Sequence, residues 1–369
     1  MSRGAIDRRE NGRHRARYEG PDRRWHSRTF DRKADAERWL TDQLAKTNLG
    51  RWVDPVAGRV EFAEYATAWI KAKSRIKEKT REGYRSLLRS RILPVFGPVR
   101  LIDVDRAMVG SWVRAIADDG LSPSRIRQAH QCFAAILEQA VDDGLIGRNP
   151  ARRVELPRLN QPEHRFLTAE QVTRLADAMP DHQHKTIVHV LAYGGLRWGE
   201  MAALRRGRTD ILRRRLQISE ALAEISGRLV LGTTKTHQSR TVHLPPFVAD
   251  MLGRHFEDVA DDPDALVFTA PQGGSLRYSN TRSAVWDGAR VRAGQDIADV
   301  TPHDLRHTCA SLMRAAGADV KAIQQQLGHR NATVTLNTYT HLFEGDLSEV
   351  MDRLEVHSAT GSRSERVLG

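Results

Sequence analysis

A chain of 369 residues is too long for one typical domain and predicts two or three, while 40% apolar and 28% charged residues mark an ordinary globular protein rather than a disordered or fibrous one. No run of 18 apolar residues offers a membrane span, and the basic N-terminus MSRGAIDRRENGRHRARY lacks the apolar core of a secretory signal, so a cytoplasmic location is expected. The net charge of +12 lies in the front of the chain: Lys and Arg against Asp and Glu number 15 to 9 over residues 1–59, 18 to 12 over 60–158 and 25 to 25 over 159–369, which predicts a polyanion held by the first 158 residues.

In chain order, residues 12–30 alternate basic with other side chains about a Gly-Pro-Asp turn, which predicts a hairpin of short strands. A helix follows, carrying Ala36, Leu40 and Leu44 at helical spacing and stopping near Gly50, and Pro55 with Gly58 marks a linker. From Phe62 to about Arg153 the apolar period is helical, interrupted at Pro94 to Pro98, at DDGLSPS and at DDGLIGRNP, so four helices are expected. KAKSRIKEKTREGYRSLLRSRI lines basic side chains along the first loop and second helix, as a surface tracking phosphates would require.

Residues 149–165 form a second linker with three prolines. Thr168 and Gln171 then have capping-box spacing and open the third part. There the period changes: RRRLQISEALAEISGRLVLGTTKTHQSRTVHL alternates like strands broken at Gly227 and Gly232, so a small antiparallel sheet is expected among helices that run to about Leu354. The tail HSATGSRSERVLG has the composition of a disordered segment. Cys132 and Cys309, the two cysteines, fall in apolar helical patterns and suit buried thiols in a reducing compartment.

TPHDLRHTCASLM, residues 301–313, reads as a helix whose first turn holds Pro302, with His303, Arg306 and His307 side by side on one face. Three further stretches stand out: GLRWGE at 195–200, TTKTHQSRTVHL at 233–244 and LGHRNATVTLNTYTHL at 327–342. Singly, each has a bland reading as a helix-end charge, a solvated turn or an amphipathic core position. Their order and spacing resemble the tyrosine recombinases, the phage-type integrases. The resemblance extends to the basic front, where the hairpin and helix look like an arm-type DNA-binding module and the helical stretch looks like a core-binding domain.

The resemblance implies a multidomain, mainly α protein: a small α+β arm-binding module at 1–58, a four-helix core-binding domain at 60–153, a mixed α/β catalytic domain at 165–356 and a disordered tail at 357–369. It implies a site-specific recombinase that acts through a 3'-phosphotyrosyl intermediate without metal, nucleotide or other cofactor. Tyr339 corresponds to the nucleophile, Arg197, Lys235, His303, Arg306 and His329 to the rest of the catalytic set, and Glu200 to an acidic brace; His307 is expected to support the set by packing or hydrogen bonding. The implied partners are double-stranded attachment sites, a homotetramer on two paired sites, a directionality factor and a host DNA-bending protein. Arg15, Arg17, Arg28, Lys79, Arg85, Arg125 and Arg127 are the expected DNA contacts.

The chemistry asks for such a set. Rejoining a strand without an energy source requires that the phosphodiester's energy be kept in a covalent enzyme intermediate, and a phenol is both nucleophile and leaving group. Arginine's planar fork suits the nonbridging oxygens of a phosphorane-like transition state, and a lysine on a hairpin can protonate the departing oxygen. His303 is also a candidate to take the phenol proton.

A rival is zinc, because His303 and His307 are four residues apart with Asp304 between them and His329 or His341 to follow. It places Arg306 beside a divalent cation and gives Arg197, Lys235 and Tyr339 no role. A DNA-binding regulator without catalysis and a type IB topoisomerase also compete. The complete polar set disfavours the regulator, and the arm-like N-terminus and LGHRNATVTLNTYTH disfavour the topoisomerase.

Overall fold

The computed structural model describes residues 4–48, 57–74, 76–159, 165–233 and 239–329, with the single positions 331, 333, 336 and 351. It divides into two compact units, Met1–Gln161 and Pro162–Gly369.

The first unit opens with β1 (Gly4–Arg8), β2 (His14–Glu19) and β3 (Trp25–Phe30), antiparallel in the order β1-β2-β3, followed by α1 (Lys33–Asn48). The expected hairpin is thus a three-stranded sheet. Strand alternation puts Ala16 and Tyr18 on one face, both fully buried, with the Trp39 ring of α1 5.6 Å from that of Tyr18. Arg15 and Arg17 stand on the other face, paired in register with Thr29 and Ser27.

The helical part comprises α2 (Phe62–Ala72), α3 (Glu78–Leu87), a π-turn (Leu88–Ile92), α4 (Leu93–Phe96), α5 (Arg106–Asp118) and α6 (Pro123–Asp142). The π-turn joins α3 to α4 in one helical run, so the four expected helices are present, but the second passes through Pro94 instead of ending there. The shift of register at the π-turn places Pro94 in a first turn, where its missing N–H costs nothing. Phe62, Phe96, Trp112 and Phe133 fill the core, with ring centroids of Phe96 and Phe133 4.3 Å apart.

The second unit is built around α8 (His182–Gly194), whose residues Thr186–Ala192 are all buried, Thr186 and His189 among them, so every face of this stretch packs against neighbours. Around it lie α7 (Ala169–Asp177), α10 (Pro246–His255) and α13 (Pro302–Ala315). The Thr168 and Gln171 capping box is formed as the spacing predicts, and α13 starts at Pro302 with Thr301 and Asp304 in a second one. After α9 (Trp198–Ala202) come β4 (Thr209–Asp210), β5 (Arg215–Ile218), β6 (Glu220–Ile225), β7 (Arg228–Thr233) and β8 (Arg240–His243). The expected sheet is therefore two pieces, β4-β5-β8 and the hairpin β6-β7. α11 (Tyr278–Thr281), α12 (Asp287–Ala293) and α14 (Val320–Leu327) complete the α-helices of the described residues. Among the described residues, no helix is long and apolar enough to cross a membrane.

Candidate active site

GLRWGE begins where α8 ends. Gly195 caps the helix at φ +67°, and a Cβ there would come within 2.5 Å of Leu327 Cδ2 and 3.0 Å of Cys309 Sγ, so both the left-handed backbone and the packing require glycine. The chain then delivers Arg197 to the start of α9. Its backbone N–H donates to Glu200 Oε2 at 2.9 Å and its Nη1 to Glu200 Oε1 at 2.8 Å.

Glu200 is 1% exposed and is shared. Arg240, at the start of β8, donates to it with both ends of its fork, Nη1 to Oε1 at 3.1 Å and Nη2 to Oε2 at 2.7 Å. Burial pushes the Glu200 carboxyl up, but the Arg240 pair, with the charges of Arg197 and Arg306, more than reverses this and brings it to about 2. Glu200 is thus a fixed anion at any working pH.

Arg306 is 2% exposed. Its Nη1 donates to Gly195 O and its Nη2 to Leu327 O, each at 2.6 Å. These carbonyls close α8 and α14, the negative ends of two helices, so one guanidinium fastens both to α13 and is itself held in place. The three neighbours on the 301–313 helix therefore part company. Arg306 turns inward, whereas His303 is exposed and His307 half-buried, their rings edge to face with centroids 4.9 Å apart.

Gly328 ends α14 at φ +67° and hands on His329, which is half-buried. Burial and the charges of Arg306, Arg197 and Arg240 pull its imidazole down to about 4, so it is neutral at neutral pH. The unfolded chain, with His329 near its ordinary value of 6.5, binds more protons than the folded one between these values. Its contribution to stability is therefore present above pH 6.5 and lost as pH falls toward 4. The melting temperature of His329→Gln should accordingly approach that of the unmodified protein as pH drops from 7 to about 4.5. A difference that stays constant over this range would place His329 in a solvated setting.

Arg197, Glu200, Arg306 and His329 are thus brought together, with His303 and His307 on the outer side of α13. Lys235 and Tyr339 lie outside the described residues, as do His341 and the expected tail. Asp304, on which a zinc site would draw, accepts the Thr301 N–H at its Oδ2, 2.8 Å away, and so closes the helix N-terminus. Among the described residues no group of three His, Cys, Asp or Glu could hold a metal.

The expected DNA contacts are placed unequally. Arg15 and Arg17 share the open sheet face, although both neighbour Asp7, at 2.8 and 3.8 Å. Arg28 has the opposite parity, pairing with buried Ala16, and lies 5.3 Å over the Phe30 ring. Lys79 is exposed on α3, but Arg85 is held by Glu78 and Glu82, and the same carboxylates take Arg81 and Arg89, so the basic stripe is partly neutralised from within. Arg125 is exposed on α6, whereas Arg127 donates to Pro157 O at 2.9 Å and secures its own chain.

Three residues escaped the sequence reading. Trp25 is 53% exposed on the open sheet face under Arg17, 5.4 Å from guanidinium carbon to ring. Gln326 is buried and joins α14 to β8 through His243 N and O. Arg240 had a usable signal, since it shares its parity with Val242 and Leu244, both buried, and a charge on that inward face demands a buried partner.

The phage integrase N-terminal domain family matches residues 2–49, the phage integrase central domain family 62–156 and the phage integrase family 165–345. The integrase of Mycobacterium phage D29 is 30% identical over 345 residues, 88% of this chain and 89% of that protein. The Tn1549 transposon integrase in complex with transposon right end DNA has the same fold at a TM-score of 0.69, with 22% identity over 80% of this chain and 100% of that one. A lambda integrase tetramer bound to a Holliday junction matches at 0.59, with 17% identity over 89% and 96% of the two chains. The fold is that of the tyrosine recombinases, multidomain and helix-rich with a small N-terminal β module. The chain belongs to the phage integrase family of site-specific recombinases of phages and mobile elements.

Proposed function

We propose that this chain integrates a phage or other mobile element by cutting and rejoining DNA through a phosphotyrosine at Tyr339. The observation that carries the reading is the cluster, among the described residues, of three guanidiniums, Arg197, Arg240 and Arg306, and a neutral imidazole, His329, around the carboxylate of Glu200. A built-in excess of positive charge beside low-dielectric walls is what a phosphoryl transition state needs and what an empty core would not tolerate.

In this reading the Tyr339 oxygen attacks the scissile phosphorus, its proton passing to His303, and the bond to the 5'-oxygen breaks. Lys235 gives that oxygen its proton. The 3'-phosphate is left on Tyr339 until a DNA hydroxyl displaces it. Arg197 and Arg306 hold the nonbridging oxygens, His329 adds a neutral donor, and His307 steadies His303 through their ring contact.

The working division is an arm-binding module at 1–58, a core-binding domain at 60–153 and a catalytic domain at 165–356. Arg15, Arg17 and Trp25 on the open sheet face are the arm contacts best placed for a groove. A tetramer on two paired attachment sites, in the cytoplasm, with a directionality factor and a DNA-bending host protein, completes the proposal. The test is recombination of two duplexes carrying the element's junction sequences, in excess chelator and without nucleotide. Product at the rate seen with added magnesium is expected, and a strict requirement for a divalent ion would overturn the reading.

A further inference from the structure

We propose that Arg240 is a positioning residue that sets Arg197, the strand that follows Lys235 in the chain, and His329 in one frame, an inference that rests on the recombinase reading above. Three of its donors are engaged with the protein. Nη1 and Nη2 hold Glu200, the carboxylate that braces Arg197, and Nε donates to Gln326 O at 3.1 Å, two residues before the glycine that hands on His329. Its side chain is 9% exposed, and both ends of its fork are occupied by the Glu200 carboxylate.

Two features give the contact its reach. Arg240 is the first residue of β8, five residues after Lys235, so it anchors the strand that follows the lysine in the chain. A Cβ at Gly328 would lie 2.5 Å from Arg240 Cδ and 2.9 Å from its Nε. The glycine of Leu-Gly-His therefore serves two ends: the left-handed turn that delivers His329, and room for the arginine to cross beneath it. One side chain thus ties α9, β8 and α14, the elements carrying or adjoining three of the proposed catalytic residues. Lysine cannot replace it, because a single ammonium cannot grip two carboxylate oxygens and a carbonyl along a rigid fork.

The experiment compares the unmodified protein, Arg240→Ala and Arg240→Lys on a nicked suicide duplex bearing the junction sequence. It measures DNA affinity, the single-turnover rate of covalent adduct formation and melting temperature, with and without guanidinium ion far below denaturing concentration. Arg240→Ala is expected to bind DNA within about threefold of the unmodified protein yet form adduct about 100-fold more slowly, with guanidinium restoring at least about a tenth of the loss; Arg240→Lys should fall between. Guanidinium rescue is the signature that a merely structural role would not give.

Adduct formation by folded Arg240→Ala within about threefold of the unmodified rate would overturn the inference, as would a slow variant that guanidinium leaves unchanged. Should Arg240→Ala fail to fold, Arg240→Lys decides alone: a folded lysine variant cleaving at the unmodified rate refutes the positioning role, and one at least about tenfold slower with intact binding supports it. If the unmodified protein forms no adduct, the recombinase reading itself falls and the inference with it, a result distinct from an active protein indifferent to Arg240.

Discussion

Arg306→Lys is expected to slow covalent strand cleavage by about 10²- to 10³-fold while changing DNA affinity little, the size of effect seen when one preorganised donor to a transition-state oxyanion is lost. The guanidinium reaches the Gly195 and Leu327 carbonyls at once, each at 2.6 Å, and this double anchorage fixes its plane. An ammonium at the end of a flexible stem reaches one carbonyl or the other and meets the phosphate as a point charge. The positive charge is kept, so Glu200 remains compensated and the variant should fold with a modest loss of stability. Single-turnover cleavage at a temperature where the variant is folded separates the roles. A rate within about threefold of the unmodified protein would make Arg306 a helix fastener and nothing more.

Gly195→Ala is expected to lower the stability of the second unit by about 3 kcal/mol and to reduce cleavage even where the protein is folded. A left-handed φ costs an L-residue about 1–2 kcal/mol. Forcing a methyl into packed space costs about 1–3 kcal/mol more, and the Cβ would meet Leu327 at 2.5 Å and Cys309 at 3.0 Å. For a unit of this size the melting transition should fall by on the order of 10 °C. Because Gly195 supplies one anchor of Arg306 and Leu327 the other, any relaxation that makes room for the methyl moves the guanidinium. Thermal melting read beside cleavage checks both effects. An unchanged melting temperature would show that the turn relaxes without strain.

Much of this was written in the chain because it is local. The capping box at Thr168 and the proline in the first turn of α13 are short-range signals, and each element forms where its signal stands. The outcomes that differed depend on partners distant in sequence. Helix spacing put His303, Arg306 and His307 on one face but could not tell that carbonyls 111 and 21 residues away would draw Arg306 inward. Pro94 reads as a stop unless the π-turn before it is known. The basic stripe of α3 looks open for phosphate until Glu78 and Glu82 are seen to answer it. The inward parity of Arg240 was legible, but not that its partner is Glu200, 40 residues upstream. Family order names the residues at a site, and only packing says which of them hold the others.

Covalent cleavage through Tyr339 is tested by trapping the protein on a nicked suicide duplex, digesting the adduct and identifying the amino acid bonded to DNA. The prediction is a single phosphotyrosine at Tyr339 joined to a 3' end, formed in chelator and absent from Tyr339→Phe, which should still bind the duplex with unmodified affinity. A link to a serine, a link to a 5' end, or an adduct that persists in the phenylalanine variant would contradict it.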